Sequence, residues 1–168
     1  LEKANAIAPE RTELILPMLT RANANGDKAD LDKWAARLED RGGLAPSLTD
    51  VAKDLLLSVD DGGIVFTNGD MDGAPALVRQ RSHDQRRDVL IVDQRLLADA
   101  AYRQRIWSEA KARGPVPSPG PAYARALLGA TDRPVFLALS LDREWFDAFS
   151  GQLCATGIAF AINGRNGC

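Results

Sequence analysis

The stretch Thr67-Asn68-Gly69-Asp70-Met71-Asp72-Gly73 places two carboxylates at i and i+2 beside an amide, directly after a short apolar run from Ile64. Oxygen donors at this spacing suit Mg²⁺, Mn²⁺ or Ca²⁺, as a DxD element does in nucleotide-sugar transferases, so Asp70 and Asp72 are candidate metal ligands with Asn68 beside them. The same residues also read as a turn. Asp72 then caps a helix starting near Pro75, Asp70 bonds loop amides, and Gly69 and Gly73 permit positive φ. Asp93 ends a second apolar run, DVLIVD at 88–93. If the two runs are neighbouring strands it joins Asp70 and Asp72, and three like charges at close range need a cation or a raised pKa.

His83, the one histidine, lies in RQRSHDQRR among Arg79, Arg81, Arg86 and Arg87. No serine or cysteine around it forms a nucleophile elbow, so the segment reads as a solvated basic loop able to touch phosphate or an acidic partner. Tyr102, Trp107, Trp145, Phe146 and Phe149 fall at helical spacings that mean core, and a sugar-stacking platform is the functional alternative for one or two of them.

Elements positioning these groups follow from periodicity. Leu31, Trp34, Ala35 and Leu38 recur at i, i+3, i+4 and i+7 behind Asp27 as cap, and Gly42 and Gly43 stop that helix. An earlier helix carries Leu14, Met18 and Ala22 and ends near Gly26, with Pro17 in its first turn or at a kink. Together they predict a helical hairpin. Ser47 with Asp50 predicts the cap of a third helix. The period then changes, with apolar strands at 64–67, 88–93, 134–139 and 157–162 separated by helix-length segments. This predicts a small α/β domain over 47–163 with a mainly parallel sheet of about four strands and flanking helices, preceded by the hairpin at 1–43 and followed by a tail at 164–168.

Composition excludes several classes. With 168 residues, 45% of them hydrophobic, and a net charge of −2, the chain can bury a core but has no global field for a polyanion, so nucleic acid is not an expected partner. No run of 18 apolar residues occurs. The start at Leu1 reads as the middle of a helix, so the expectation is a fragment or processed product, with any membrane segment lying outside this chain. Two cysteines, Cys154 and Cys168, exclude a disulfide framework and a Cys/His zinc site, while one bridge between them stays open.

Two resemblances add to this reading. The segment from Glu10 through Gly26-Asp27 to Asp40, with Lys3, Ala4 and Pro9 before it, resembles a degenerate tetratricopeptide repeat, which implies stacking on another repeat or capping of the α/β domain. Over about 47–162, the order GGIVFTNGDMDGAPALVRQ, RRDVLIVDQRLLADAAYRQR, RPVFLAL, GIAFAI resembles the soluble region beyond the membrane part of bacterial protein O-mannosyltransferase-like proteins. Gly69, Asp70, Asp72, Asp88, Val89, Leu96, Leu97, Tyr102, Pro134, Val135 and Gly157 carry that match. Met71, Gly73, Ala74, Phe160 and Ala161 depart from it, and the family's sugar-transfer chemistry lies in its membrane-embedded part. The resemblance therefore implies kinship and an extracytoplasmic, periplasmic setting without transferase activity; the cysteines alone leave a cytoplasmic setting open. DMDG also resembles the acid loop of haloacid dehalogenase-like phosphotransferases, but Thr67, Asn68 and Gly69 intervene after the strand and no later acidic pair or placed lysine completes the set.

The leading expectation is a non-catalytic domain, without a cofactor, that binds protein or glycan through the N-terminal helices or the strand-end loops. Its candidate ligand-binding residues are Asn68, Asp70, Asp72, Asp93 and Tyr102. The alternative is a small divalent-metal-dependent enzyme acting on a phosphorylated or nucleotide-linked sugar at Asp70 and Asp72. The sequence leaves open whether the chain is an enzyme.

Overall fold

The computed structural model describes residues 2–7, 11–41 and 43–162. Pro9, Gly42, the tail at 164–168 and Cys168 lie outside the described residues. A short helix α1 (Glu2–Ile7) precedes the hairpin of α2 (Ile15–Asn25) and α3 (Lys28–Asp40), and α4 (Pro46–Leu57) follows. Then come β1 (Ile64–Thr67), α5 (Gly73–Ser82), β2 (Leu90–Asp93), α6 (Ala100–Glu109) and α7 (Pro121–Ala130). The chain continues through β3 (Val135–Ala138), α8 (Arg143–Ala148), β4 (Leu153–Ala155) and β5 (Ala159–Ile162).

The α/β expectation holds, but the sheet differs in two respects. It has five strands in the order β2-β1-β3-β5-β4 rather than about four, and it is mixed rather than mainly parallel. β1 runs parallel to β2 and to β3, whereas β5 pairs antiparallel with β3 and with β4. The extra strand arises from a three-residue connection, in which Gly157 adopts φ +100° and Thr156 N–H donates to Ala159 O at 2.9 Å, so that β4 and β5 close as a hairpin. A hairpin must be antiparallel, which makes this side of the sheet mixed.

Strand alternation divides the core into two layers. Val65, Ile91, Phe136, Ala138 and Ala161 face the packed helices α2 to α5, while Ile64, Phe66, Val92, Val135 and Leu137 face Tyr102, Trp107, Tyr123, Trp145 and Phe149 of α6 to α8. All of β1 is buried, as its apolar run from Ile64 requires.

Three of the hairpin signals have structural counterparts. Asp27 Oδ1 accepts the Asp30 N–H at 3.0 Å, Gly26 ends α2 at φ +70°, and Pro17 sits in the first turn of α2. Trp34 is only 1% exposed, in one cluster with Leu31 and Leu38 and with Leu77 of α5, so the hairpin docks on the α/β core as expected. The Ser47 cap does not form, since α4 begins at Pro46 with Ala45 at its N-cap and no capping side chain. Asp99, whose carboxylate accepts from Ala101 and Tyr102 N–H, starts α6 after a 3₁₀ turn at Gln94–Ala98.

Candidate functional site at the strand ends

β1 is followed by α5 on one face of the sheet, and its neighbour β3 is followed by α8 on the other. The chain therefore parts at the carboxyl ends of β1 and β3, the place where open α/β sheets hold ligands. Here the opening is bridged by the protein's own side chains. Asn68 Nδ2 donates to Ser140 O at 2.9 Å, and Ser140 Oγ donates to Asp72 Oδ2. Gln94 Nε2 donates to Asn68 Oδ1 at 2.9 Å, which ties the end of β2 into the same network.

Asp72 is 6% exposed. Besides Ser140, its carboxylate accepts the Gly73 N–H at 2.7 Å and the Asn68 N–H at 3.0 Å. Burial pushes its pKa up from the usual carboxylate value; the hydrogen bonds oppose the rise and the nearby Asp93 charge adds to it. Gly73 lets this turn close against β1, since a Cβ there would lie 2.7 Å from Thr67 Oγ1.

Asp70 and Asp93 share one guanidinium. Arg95 Nη2 lies 2.7 Å from Asp70 Oδ1 and 3.0 Å from Asp93 Oδ2, and Arg95 Nε lies 3.3 Å from Asp93 Oδ1. Asp93 also accepts the Arg95 backbone N–H at 2.9 Å, so it starts the 3₁₀ turn while pairing with the same residue's side chain. The hydrogen bonds to Asp93 and then to Asp70 push the Arg95 pKa further above its already high value. A guanidinium thus bridges two of the three carboxylates grouped by the sequence reading. Among the described residues, no group of three or more His, Cys, Asp and Glu converges as a metal site.

Tyr102 is fully buried, and its hydroxyl accepts the Asp93 N–H at 3.0 Å, so it supports the strand end from beneath. Burial pushes its pKa well above the ordinary phenol value. Of the other aromatics, Trp107, Trp145 and Phe149 are core, and Phe146 is half-buried against Phe160 at a 5.7 Å centroid separation. His83 pairs with Glu39 of α3 at 2.5 Å, and Arg81 reaches Asp32 at 3.5 Å, so the basic loop fastens the hairpin to the end of α5. Arg86 lies deeper, donating to Leu56, Val59 and Asp60 carbonyls and to Asp88.

Arg95, Ser140 and Gln94 were not among the residues singled out by type. Their signal is topological, since each follows the carboxyl end of β2 or β3 and adjacent parallel strands must bring such residues beside the β1 loop. Two exposed apolar side chains flank the network, Met71 in the β1 loop at 63% and Leu139 just after β3 at 56%. Cys154 on β4 is disulfide-bonded. No helix among the described residues is long and apolar enough to cross a membrane.

No family model, curated protein or solved structure matches this chain.

Proposed function

We propose that this chain is a non-catalytic, extracytoplasmic module that binds a protein partner through the loops at the carboxyl ends of β1 and β3. The observation that carries this reading is the commitment of every carboxylate in the acidic loop. Asp70 and Asp93 share Arg95, and Asp72 is bound by Ser140 and two backbone amides. A nucleophile or metal ligand at this loop would have to exchange these partners for substrate or cation. Around this hydrogen-bonded patch, Met71 and Leu139 supply exposed apolar anchors with a polar rim, the anatomy of a small protein interface. A glycan is supported less, because every Trp and Tyr of the chain is buried and the half-buried Phe146 and Phe160 stack on each other. The disulfide at Cys154 favours an oxidising compartment. Kinship to the soluble region of O-mannosyltransferase-like proteins belongs to the same proposal and agrees with a module lacking its own chemistry.

The test is site-specific photocrosslinking in cells that produce the protein. A photoreactive residue at position 71 or 139 is expected to give a protein adduct, one at the exposed Lys53 of α4 none, and Met71→Asp should suppress the adduct formed from position 139. Equal labelling from Lys53, or no adduct, overturns the reading, and a glycosidase-sensitive adduct replaces the protein partner with a glycan. A rise in melting temperature with Mg²⁺, Mn²⁺ or Ca²⁺ that disappears in Asp70→Asn replaces the whole proposal with the metal-dependent enzyme.

A further inference from the structure

Away from the strand-end loops, a cavity of about 270 Å³ opens at the amino-terminal half of β2, where the C-terminus of α2, the start of α3, the end of α5 and α6 meet. Its lining contains five basic residues and two acidic ones in a chain whose net charge is −2. Both acids are already paired: Asp88 with Arg86 at 3.0 Å and Glu109 with Arg105 at 2.8 Å. Among the bases, Arg105 also donates to Asn23 O, Arg87 pairs with Asp84, and Arg133 donates to the carbonyls of Gly62, Gly63, Asp88 and Glu109.

The lining therefore keeps an excess of positive charge, five bases against two acids, with Arg81 paired only to Asp32 at its solvent side. Among the described residues the Lys28 side chain makes no hydrogen bond or ion pair, the Arg81 guanidinium has one ion pair, to exposed Asp32 at 3.5 Å, and Arg133 bonds carbonyls while feeling the Asp88 and Glu109 charges. Lys28 is exposed and Arg81 partly so, which leaves both able to turn toward a ligand.

The backbone adds a donor. β2 is an edge strand, and Leu90 donates its N–H to Gly63 O on the β1 side. The alternation of a parallel ladder then turns the N–H of Ile91 outward, as it does that of Asp93, which meets Tyr102. Ile91 lines the cavity and is 4% exposed, so the ladder's alternation directs this N–H off the sheet edge beside it. Asn23 and Gln80 supply buried amides nearby, and Leu31 and Leu77 an apolar wall.

We propose that this cavity binds a small polar molecule carrying a phosphoryl group, its oxyanion held by Lys28, Arg81 and the Ile91 N–H. Multiple N–H donors around unneutralised charge match a phosphoryl oxyanion better than a single carboxylate. The volume approaches the lower end of small-molecule sites, about 300 Å³, and leaves room for a hydroxyl-bearing body beside the Asn23 and Gln80 amides. The site is independent of the strand-end surface and of any partner held there.

Glucose 6-phosphate, inorganic phosphate and glucose serve as probes at matched ionic strength, read by calorimetry and thermal shift on the full chain. Saturable binding of glucose 6-phosphate with a raised melting temperature is expected, with weaker binding of phosphate and none of glucose. Lys28→Gln with Arg81→Gln should weaken it at least about tenfold, while Lys53→Gln leaves it unchanged; both altered side chains reach solvent, and an unchanged circular dichroism spectrum confirms folding. Lys28→Arg should retain binding. Tightest binding by inorganic phosphate reassigns the ligand to the free anion, overturning the phosphorylated-molecule claim. No saturable binding, or equal binding in the double variant, overturns the site itself.

Discussion

Gly69 and Arg95 share a space that admits no Cβ: at φ +81° Gly69 faces the guanidinium, and a side chain there would overlap its Cζ, Nη2 and Nε atoms. The backbone conformation and the ion-pair geometry therefore depend on the same missing atom. Gly69→Ala combines a left-handed backbone penalty of about 1–2 kcal/mol with expulsion of Arg95 from Asp70 and Asp93. Urea unfolding should show a loss of about 2–3 kcal/mol. Because both effects act through Arg95, the double variant Gly69→Ala with Arg95→Ala should lose less than the sum of the single losses; strict additivity would show that the two residues are not coupled.

Removing Arg95 alone has a different consequence. Asp93 is 5% exposed, so Arg95→Ala leaves a buried carboxylate without its cation, which costs about 2–4 kcal/mol given that Arg95 itself is partly solvated. Asp70 and Asp93 then face one another across an emptied position. Ca²⁺ or Mn²⁺ should raise the melting temperature of this variant while leaving the parent chain unaffected. A variant as indifferent to cations as its parent would show that Arg95 does not stand in for a metal.

The contrast between these residues and the hairpin explains what was legible. Leu31, Trp34 and Leu38 announce a buried face because helical periodicity is local, and their docking followed from the need to bury it. The strands at Ile64, Leu90 and Val135 were visible for a similar reason, as apolar runs longer than a turn. β4 was not, because Leu153-Cys154-Ala155 is three residues long, half exposed and defined by pairing with β5. The acidic loop was legible as chemistry but ambiguous between metal site and turn. Arg95 and Ser140 decide its geometry, and they reach it through strand order, which spacing along the chain does not encode.

Arg86 and Asp88 make the acid response of the fold testable at a second point. Arg86 holds φ +50° while bonding Leu56, Val59 and Asp60 carbonyls, and its side chain draws the Asp88 pKa down from 3.8 to about 2. A depressed carboxylate stabilises the fold above its unfolded value and loses that contribution as pH falls from about 3.8 toward 2. Asp88 is 41% exposed at its side chain, so solvent screening limits the effect to less than about 1 kcal/mol. Asp88→Asn should flatten the stability curve in that window and leave its shape near neutrality unchanged; an undiminished acid slope would remove this pair from the account.

Asp72 titrates in the opposite sense. Its folded pKa is raised by burial above the unfolded value of 3.8, so its contribution is fully present below that value and is lost as pH rises through the folded pKa. The hydrogen bonds from Ser140, Gly73 and Asn68 oppose that rise in pKa. Asp72→Asn keeps an acceptor for the two backbone amides, and the Ser140 hydroxyl can accept from the new amide. This variant should match or exceed the parent by up to about 1 kcal/mol at neutral pH and lose the Asp72 part of the pH dependence. Asp72→Ala instead leaves two backbone donors and the serine hydroxyl unpaired near the switch between β1 and β3, a loss of about 2–4 kcal/mol. Urea unfolding across pH separates the outcomes: an Asn variant as unstable as the Ala variant would mean that the negative charge itself, rather than the acceptor geometry, holds the strand ends together.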